Sequence, residues 1–188
     1  MNVFDFDGTI YKGDSSIDFW VFCLKKKKSL IRFLPIQLLA FVLYKLGLVN
    51  KKQLKSYFFS FLRGLSFIDE MVGLFWDENE KKITTWYQEV KNENDCVISA
   101  SPEFLLREIC NRLKILNLIA TDVDKTTGGL KGENCYGLRK VELWKQKYPK
   151  EVLNFFYSDS KSDVPMARLA KEAFFVYKND IRDWKFDV

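Results

Sequence analysis

Asp5 and Asp7 close a short apolar run, Val3, Phe4 and Phe6, and Gly8 and Thr9 follow at once. Carboxylates at the end of a buried strand are costly unless a positive charge lies between them. Three later stretches end in the same way, on residues suited to handling an anion: "VISASPEF" at 97–104, "YGLRK" at 136–140 and "YSDSKSD" at 157–163. In open α/β sheets ligands bind beyond the carboxyl ends of the strands, so one site can collect Asp5, Asp7, Ser99, Lys140, Asp159 and Asp163. Four carboxylates do not stay ionised side by side without compensation. A hard divalent cation with oxygen ligands provides it, and Mg²⁺ suits a site of few carboxylates, waters and a phosphate. Histidine is absent from the sequence. Imidazole acid–base chemistry and His-based metal sites are thereby excluded, leaving carboxylates, Lys, Tyr or Cys to move protons.

To bring these residues together the chain needs strands whose ends lie side by side. Short apolar runs ending in polar residues occur at 1–7, 95–100, 117–123, 153–159 and 173–178, the pattern of buried parallel strands. Helices are expected at 102–114, 138–147 and 162–171, the first signalled by Ser101 before Pro102 at its opening turn. The glycine-rich segment 124–137 reads as a hairpin or loop. Strands alternating with helices predict a doubly wound α/β sheet. Residues 14–91 depart from this texture, with helical periodicity and few glycines. We therefore expect an α/β core from 1–13 and 92–188, with 14–91 as an inserted all-helical unit. Its segment "FLPIQLLAFVLYKLGLVN" is strongly apolar, but Arg32, Pro35, Gln37 and Lys45 bound or interrupt it. The unbroken apolar run, Leu38 to Tyr44, falls far short of the roughly 20 residues that span a bilayer. A helix packed against other helices and an amphipathic helix lying on a surface both fit.

At 188 residues and 47% apolar content, the chain can bury the core of one domain carrying a sizeable insertion. Cys23, Cys96, Cys110 and Cys135 are scattered, without the close pairs of zinc sites, and read as small buried apolar residues in a reducing compartment. Asp5 arrives before any apolar stretch has formed, so no secretory leader is expected and the reading is cytoplasmic. The net charge of +5 is unevenly spread. Residues 21–66 hold ten Lys or Arg and no acid. A solvated helix surface usually mixes both signs, because opposite charges three or four residues apart support it. An anionic partner is the expected reason for the omission.

The stretches described above, taken in order, resemble the four motifs of the haloacid dehalogenase (HAD) superfamily: "DFDGT", an apolar strand ending in Ser, a Lys at a helix start, and a strand ending in "SDSKSD". Ser158 departs from the pattern, since many members have Gly before that Asp. The resemblance implies a HAD-type Rossmann-like parallel sheet core with an inserted helical cap, and Mg²⁺-dependent phosphomonoester hydrolysis. It implies Asp5 as the nucleophile that becomes phosphorylated, and Asp7 as the acid that protonates the leaving oxygen and then the base that activates water. By the same resemblance Asp5, the Asp7 carbonyl and Asp159 hold Mg²⁺, Asp163 supports the metal shell, and Ser99, the Ala100 amide and Lys140 bind phosphoryl oxygens.

The helical insertion and "ISASPEF" are similar to the phosphoserine-phosphatase-like subfamily. In those enzymes a cap acid and a cap Arg hold the substrate. Asp14 stands near the place of the acid, but aligning "SFLRGL" puts Phe58 where the Arg belongs, with Arg63 a neighbouring cation. The substrate is accordingly a phosphorylated small molecule or a phospholipid headgroup, with phosphatidylglycerophosphate-type lipid phosphatase as the alternative. Phosphoserine phosphatase and a catalytically silent HAD-fold binding module are further alternatives. The cap is expected to be a mobile lid whose basic face, with Lys25 to Lys28, meets an anionic membrane peripherally; nucleic acid is not the expected partner.

Overall fold

A computed structural model describes residues 1–178 and 180–185. Its centre is β1, Val3–Phe4, flanked by β2 (Cys96–Pro102) on one side and β4 (Phe155–Ser158) on the other, all parallel. The sheet extends through β3 (Asn117–Thr121), β5 (Glu172–Tyr177) and β6 (Asp180–Asp183) in the order β3-β2-β1-β4-β5-β6. Val3 pairs with both Cys96 and Phe156, so the strand ends beyond Phe4, Ile98 and Tyr157 come out side by side. The chain winds outwards from β1 in both directions, which makes the crevice beside β1 the expected ligand position.

β1 is shorter than the expected run 1–7. The Asp5 N–H still reaches the Tyr157 carbonyl at 2.8 Å, but Thr9 and Tyr11 then donate back to the Phe6 carbonyl, and this turn ends the strand. β6 was not foreseen. Its residues "DIRD" are all exposed and antiparallel to β5, so no apolar alternation marks them. A charged edge strand of this kind discourages pairing with other chains.

Between β1 and β2 all regular elements are helical: α1 (Ser15–Lys26), α2 (Leu34–Lys45), α3 (Lys51–Phe58), α4 (Ile68–Asn79) and α5 (Thr85–Val90), joined in part by 3-10 turns at Lys28–Phe33, Phe59–Gly64 and Glu80–Lys82. Local signals fix the ends. Asp14 caps α1 by accepting from the Ile17 N–H, and Asn50 with Gln53 forms a reciprocal capping box on α3. Pro35 sits in the first turn of α2, where a missing N–H costs nothing.

After β2 come α6 (Glu103–Arg112), α7 (Leu138–Lys147) and α8 (Val164–Ala167). Pro102 is the last residue of β2 and the cap position of α6, so the helix starts one residue later than expected. The helix expected at 162–171 is mostly absent. A 3-10 turn at Lys161–Asp163 leads into the single turn of α8, after which Lys171 and Glu172 donate to the Leu153 and Asn154 carbonyls and are drawn into the sheet.

Two apolar layers cover the sheet. One joins Phe4, Phe6, Val97 and Leu118 to Phe19 of α1, Phe75 and Trp76 of α4, Tyr87 of α5 and Leu105 of α6. The other packs Val3, Ile98 and Phe156 against Trp144 of α7 and Met166 of α8. All four cysteines are free and buried, as their scattered spacing suggests. α2 contributes to neither layer; it buries only Ala40. α2 packs on α3, with the Gln37 side-chain amide donating to the Phe58 carbonyl at 2.8 Å, and leaves its other side exposed. α3 contributes Phe58, whose ring lies 6.4 Å from that of Trp20 in α1.

Candidate active site

The carboxyl ends of β1, β2 and β4, together with the start of α7, converge on one cavity of about 520 Å³. Asp5 follows β1 directly, and Lys140, in the first turn of α7, reaches it across the strand ends. The Lys140 Nζ donates to Asp5 Oδ1 at 2.8 Å and to Asp163 Oδ2 at 2.6 Å. Ser158 Oγ donates to the same Asp163 oxygen at 2.8 Å. All four side chains are buried. Asp163 Oδ1 is buried without a hydrogen-bond partner among the described residues.

Burial drives the Asp5 carboxyl above the usual range, Lys140 pulls it back only in part, and the Asp163 charge adds to the rise. Burial would lower Lys140, but the charges of Asp5 and Asp163 outweigh it and hold the ammonium above its ordinary value. The site therefore keeps one cation between two acids. The positive charge that Asp5 needs at the end of a buried strand comes from a residue more than 130 positions away.

Asp7 faces a different set of partners. Its Oδ1 accepts from the Ser15 N–H at 2.6 Å and its Oδ2 from the Ser101 hydroxyl at 2.5 Å. Ser101 in turn lies 2.8 Å from the Ser16 hydroxyl, and its N–H donates to Ser99 Oγ at 3.0 Å. Burial and the nearby Asp14 charge raise the Asp7 carboxyl to about 6, against the lowering effect of the Ser101 and Ser15 hydrogen bonds. Asp159, whose N–H donates to Thr9 Oγ1, is raised by burial as well. Gly8 has φ +73°, and a Cβ there would fall 1.9 Å from Asp159 Oδ2. Only glycine both turns the chain at this point and leaves room for that carboxylate.

Asp5, Asp7, Ser99, Ala100, Lys140, Asp159 and Asp163 thus line one cavity, as do Asp14 and Phe58. Arg63 does not. Its Nε donates to the Thr127 carbonyl at 3.0 Å on the outside of the loop after β3. Among the described residues, no group of three or more Asp, Glu, Cys or His side chains is gathered closely enough to hold a metal by itself. A cation here would depend on a few oxygens and on water.

Ser101 and Lys55 are among the cavity residues to which the sequence assigns no role there. Ser101 reads from sequence as a helix-start residue, whereas its hydroxyl serves Asp7. Lys55 projects from α3 into the cavity, where its Nζ donates to the Ala100 carbonyl and, at 2.8 Å, to Asn134 Oδ1. Burial lowers its ammonium to about 8, more than the Asp7 and Asp14 charges can offset. The only sequence signal was the run of ten cations with no acid, and nothing in it distinguished Lys55 from its exposed neighbours. Ile17, Phe41, Leu54 and Phe58 add apolar lining to the same cavity.

A family model described as haloacid dehalogenase-like hydrolase matches residues 3–168. A histidinol-phosphatase of Neisseria meningitidis serogroup C (strain 8013) is 28% identical over 99 residues, which is 45% of this chain and 43% of that protein. The match thus spans less than half of that relative's length. Among solved structures, a protein of unknown function from Bordetella pertussis Tohama I superposes with a TM-score of 0.70 at 19% identity, covering 92% of this chain and 87% of that one. A substrate-bound phosphoserine phosphatase gives 0.60 at 18% identity, covering 91% and 82%. At these identities the shared property is the fold.

Proposed function

The chain belongs to the haloacid dehalogenase-like hydrolase family, and from that premise we propose that it hydrolyses phosphate monoesters through a phosphorylated Asp5. The observation that carries the reading is the buried Lys140 held between Asp5 and Asp163, opening on the same cavity as an Asp7 whose carboxyl titrates near 6. In the first step an Asp5 oxygen attacks phosphorus while the bond to the ester oxygen breaks. Protonated Asp7 gives its proton to the leaving alkoxide. In the second step Asp7 takes a proton from water, which attacks the acyl phosphate, releases phosphate and restores Asp5. Lys140 offsets the charge of Asp5, so that an anion can approach an anion. Ser99 accepts from the Ser101 N–H, which leaves its own hydroxyl proton to donate to a phosphoryl oxygen, beside the Ala100 amide.

Mg²⁺ fits the residues present. The donors are oxygens only, the Gly8 turn leaves room for the Asp159 carboxylate, and burial raises both Asp5 and Asp159 in a way that an added cation would relieve. Asp5, Asp159 and the Asp7 carbonyl would hold the ion, with Asp163 behind them. An ion with so few protein ligands keeps several waters, as Mg²⁺ does. When bound, it supplies positive charge to the phosphoryl group and to Asp5.

A phosphorylated amino acid is the second reading. One observation favours it: Asp14 and Lys55 bring opposite charges to the cavity, and Lys55 provides the cation that Phe58 cannot. The reading as a phosphatase is tested by phosphate release from an aryl phosphate. We expect Mg²⁺-dependent turnover that EDTA abolishes, and acid-quenched protein carrying phosphate on Asp5. Undiminished activity in EDTA, or a label on another residue, overturns it.

A further inference from the structure

α2 and the turn that follows it display a large apolar surface that none of the described residues covers. Leu38 is 62% exposed, Leu39 56%, Val42 52%, Leu46 66% and Leu48 68%. Single exposed apolar residues are ordinary, but contiguous ones mark a surface built to meet something. Of the ten cations in 21–66, Lys26 and Lys52 pair with Glu78 and Glu133 and Lys55 lies in the cavity, so the positive charge next to this face comes from the cations that flank α2 in the chain. Lys27, Lys28 and Arg32 are exposed in the stretch running into α2, and Lys45 ends the helix over the Phe41 ring.

We propose that α2 docks on an anionic lipid surface, lying in the interface with its leucines in the acyl region and the flanking cations at the headgroups. An anionic leaflet is apolar inside and negative at its surface, and so complements both features at once. A second copy of the chain complements the apolar residues but brings a second acid-free set of cations against the first. No helix among the described residues is long and apolar enough to cross a membrane, so the contact is peripheral.

The same helix reaches the candidate active site. Gln37 and Phe41 of α2 line the cavity, beside Ile17 and Leu54. Around the helix Gln37 and Phe41 face the cavity on a different side from Leu38, Leu39 and Val42, so docking through the leucines holds the cavity close to the headgroup layer. The apolar lining of Ile17, Phe41, Leu54 and Phe58 suits a phosphate monoester carried on an amphiphile. That substrate assignment rests on the phosphatase reading above; the docking does not.

The experiment is co-sedimentation with vesicles of phosphatidylcholine alone and of phosphatidylcholine with an equal share of phosphatidylglycerol, at low salt. We expect binding to the anionic vesicles at least tenfold stronger than to the neutral ones, weakened by salt. A Leu38→Gln, Leu39→Gln double variant should lose the binding at least tenfold yet hydrolyse a soluble aryl phosphate as before, because neither side chain lines the cavity. Lys27→Gln, Lys28→Gln and Arg32→Gln together should weaken binding to anionic vesicles and flatten its salt dependence. Wild-type protein that ignores anionic vesicles overturns the proposal, as does binding indifferent to the leucine changes. Sedimentation showing a dimer that the leucine variant dissociates also overturns it, in favour of an interface between copies. Vesicle binding without any phosphatase activity sinks the catalytic reading and leaves the docking intact.

Discussion

Asp7 is held at its two oxygens by different kinds of donor, a backbone N–H from α1 and a hydroxyl from the end of β2. With its carboxyl near 6, it is mostly protonated below that pH and mostly ionised above it. If it supplies the proton to the leaving group, kcat/KM for an alkyl phosphate falls as pH rises through about 6. An aryl phosphate, whose leaving group needs no proton, should not show this limb. Asp7→Asn should slow alkyl phosphate hydrolysis by about 10²–10⁴ and let phosphorylated Asp5 accumulate from the aryl substrate. A pH–rate profile identical for the two substrates removes Asp7 from the acid role. Lys140 invites a different measurement. Lys140→Met leaves Asp5 and Asp163 buried without their cation, a change of the kind that costs about 3–5 kcal/mol. Urea unfolding should show it at neutral pH, with partial recovery in acid, where the carboxyls are neutral. Asp5 and Asp159 were legible in the sequence because each follows a strand whose apolar run is easily read, and Lys140 because it stands at a helix start in the order of the motifs. Lys55 was not, since a helix carries no mark of which of its lysines turns inward.

Two glycines show what the connecting segments do for the elements. Gly8→Ala should displace Asp159 and weaken Mg²⁺ binding, read as a rise in the Mg²⁺ concentration for half-maximal rate. Gly128, in the loop after β3, has φ +76°, and a Cβ there would lie 2.2 Å from the Phe59 carbonyl oxygen and 2.5 Å from its carbon. That neighbour is backbone, with no side chain able to move aside. The loop thus lies directly on the 3-10 turn after α3, where Arg63 also reaches Thr127. Gly128→Ala should destabilise the protein by more than about 1 kcal/mol, and calorimetry reads the result; an unchanged melting temperature refutes the close contact. The alternation of strand and helix was legible from periodicity. The position of α2 was not, because a helix apolar on nearly every face gives no periodic signal of which side is covered.

At the scale of the whole molecule, the helical segment between β1 and β2 is not uniformly placed. α1, α4 and α5 share one apolar layer with the sheet, and Trp76 of α4 donates its indole N–H to the Leu105 carbonyl of α6. Among the described residues the α2–α3 hairpin meets that layer through Phe58 at the end of α3, and it walls the cavity. We propose that the lid is this hairpin alone, closing over the site while α1 and α4 stay with the core. Hydrogen exchange should then find α2 and α3 opening readily and α1 and α4 protected to the level of global unfolding. Exchange of 15–90 as one unit refutes that division. The Trp20–Phe58 contact sits on the line between the two parts, with Trp20 fixed in α1 and Phe58 at the end of α3. The indole N–H of Trp20 is buried without an acceptor among the described residues. Should α3 swing away, the indole loses its aromatic neighbour and meets water, so its emission shifts to the red. The chain thus carries an intrinsic optical reporter of hairpin opening, which stopped-flow fluorescence can follow in the native protein without a dye, provided the change disappears in Trp20→Phe.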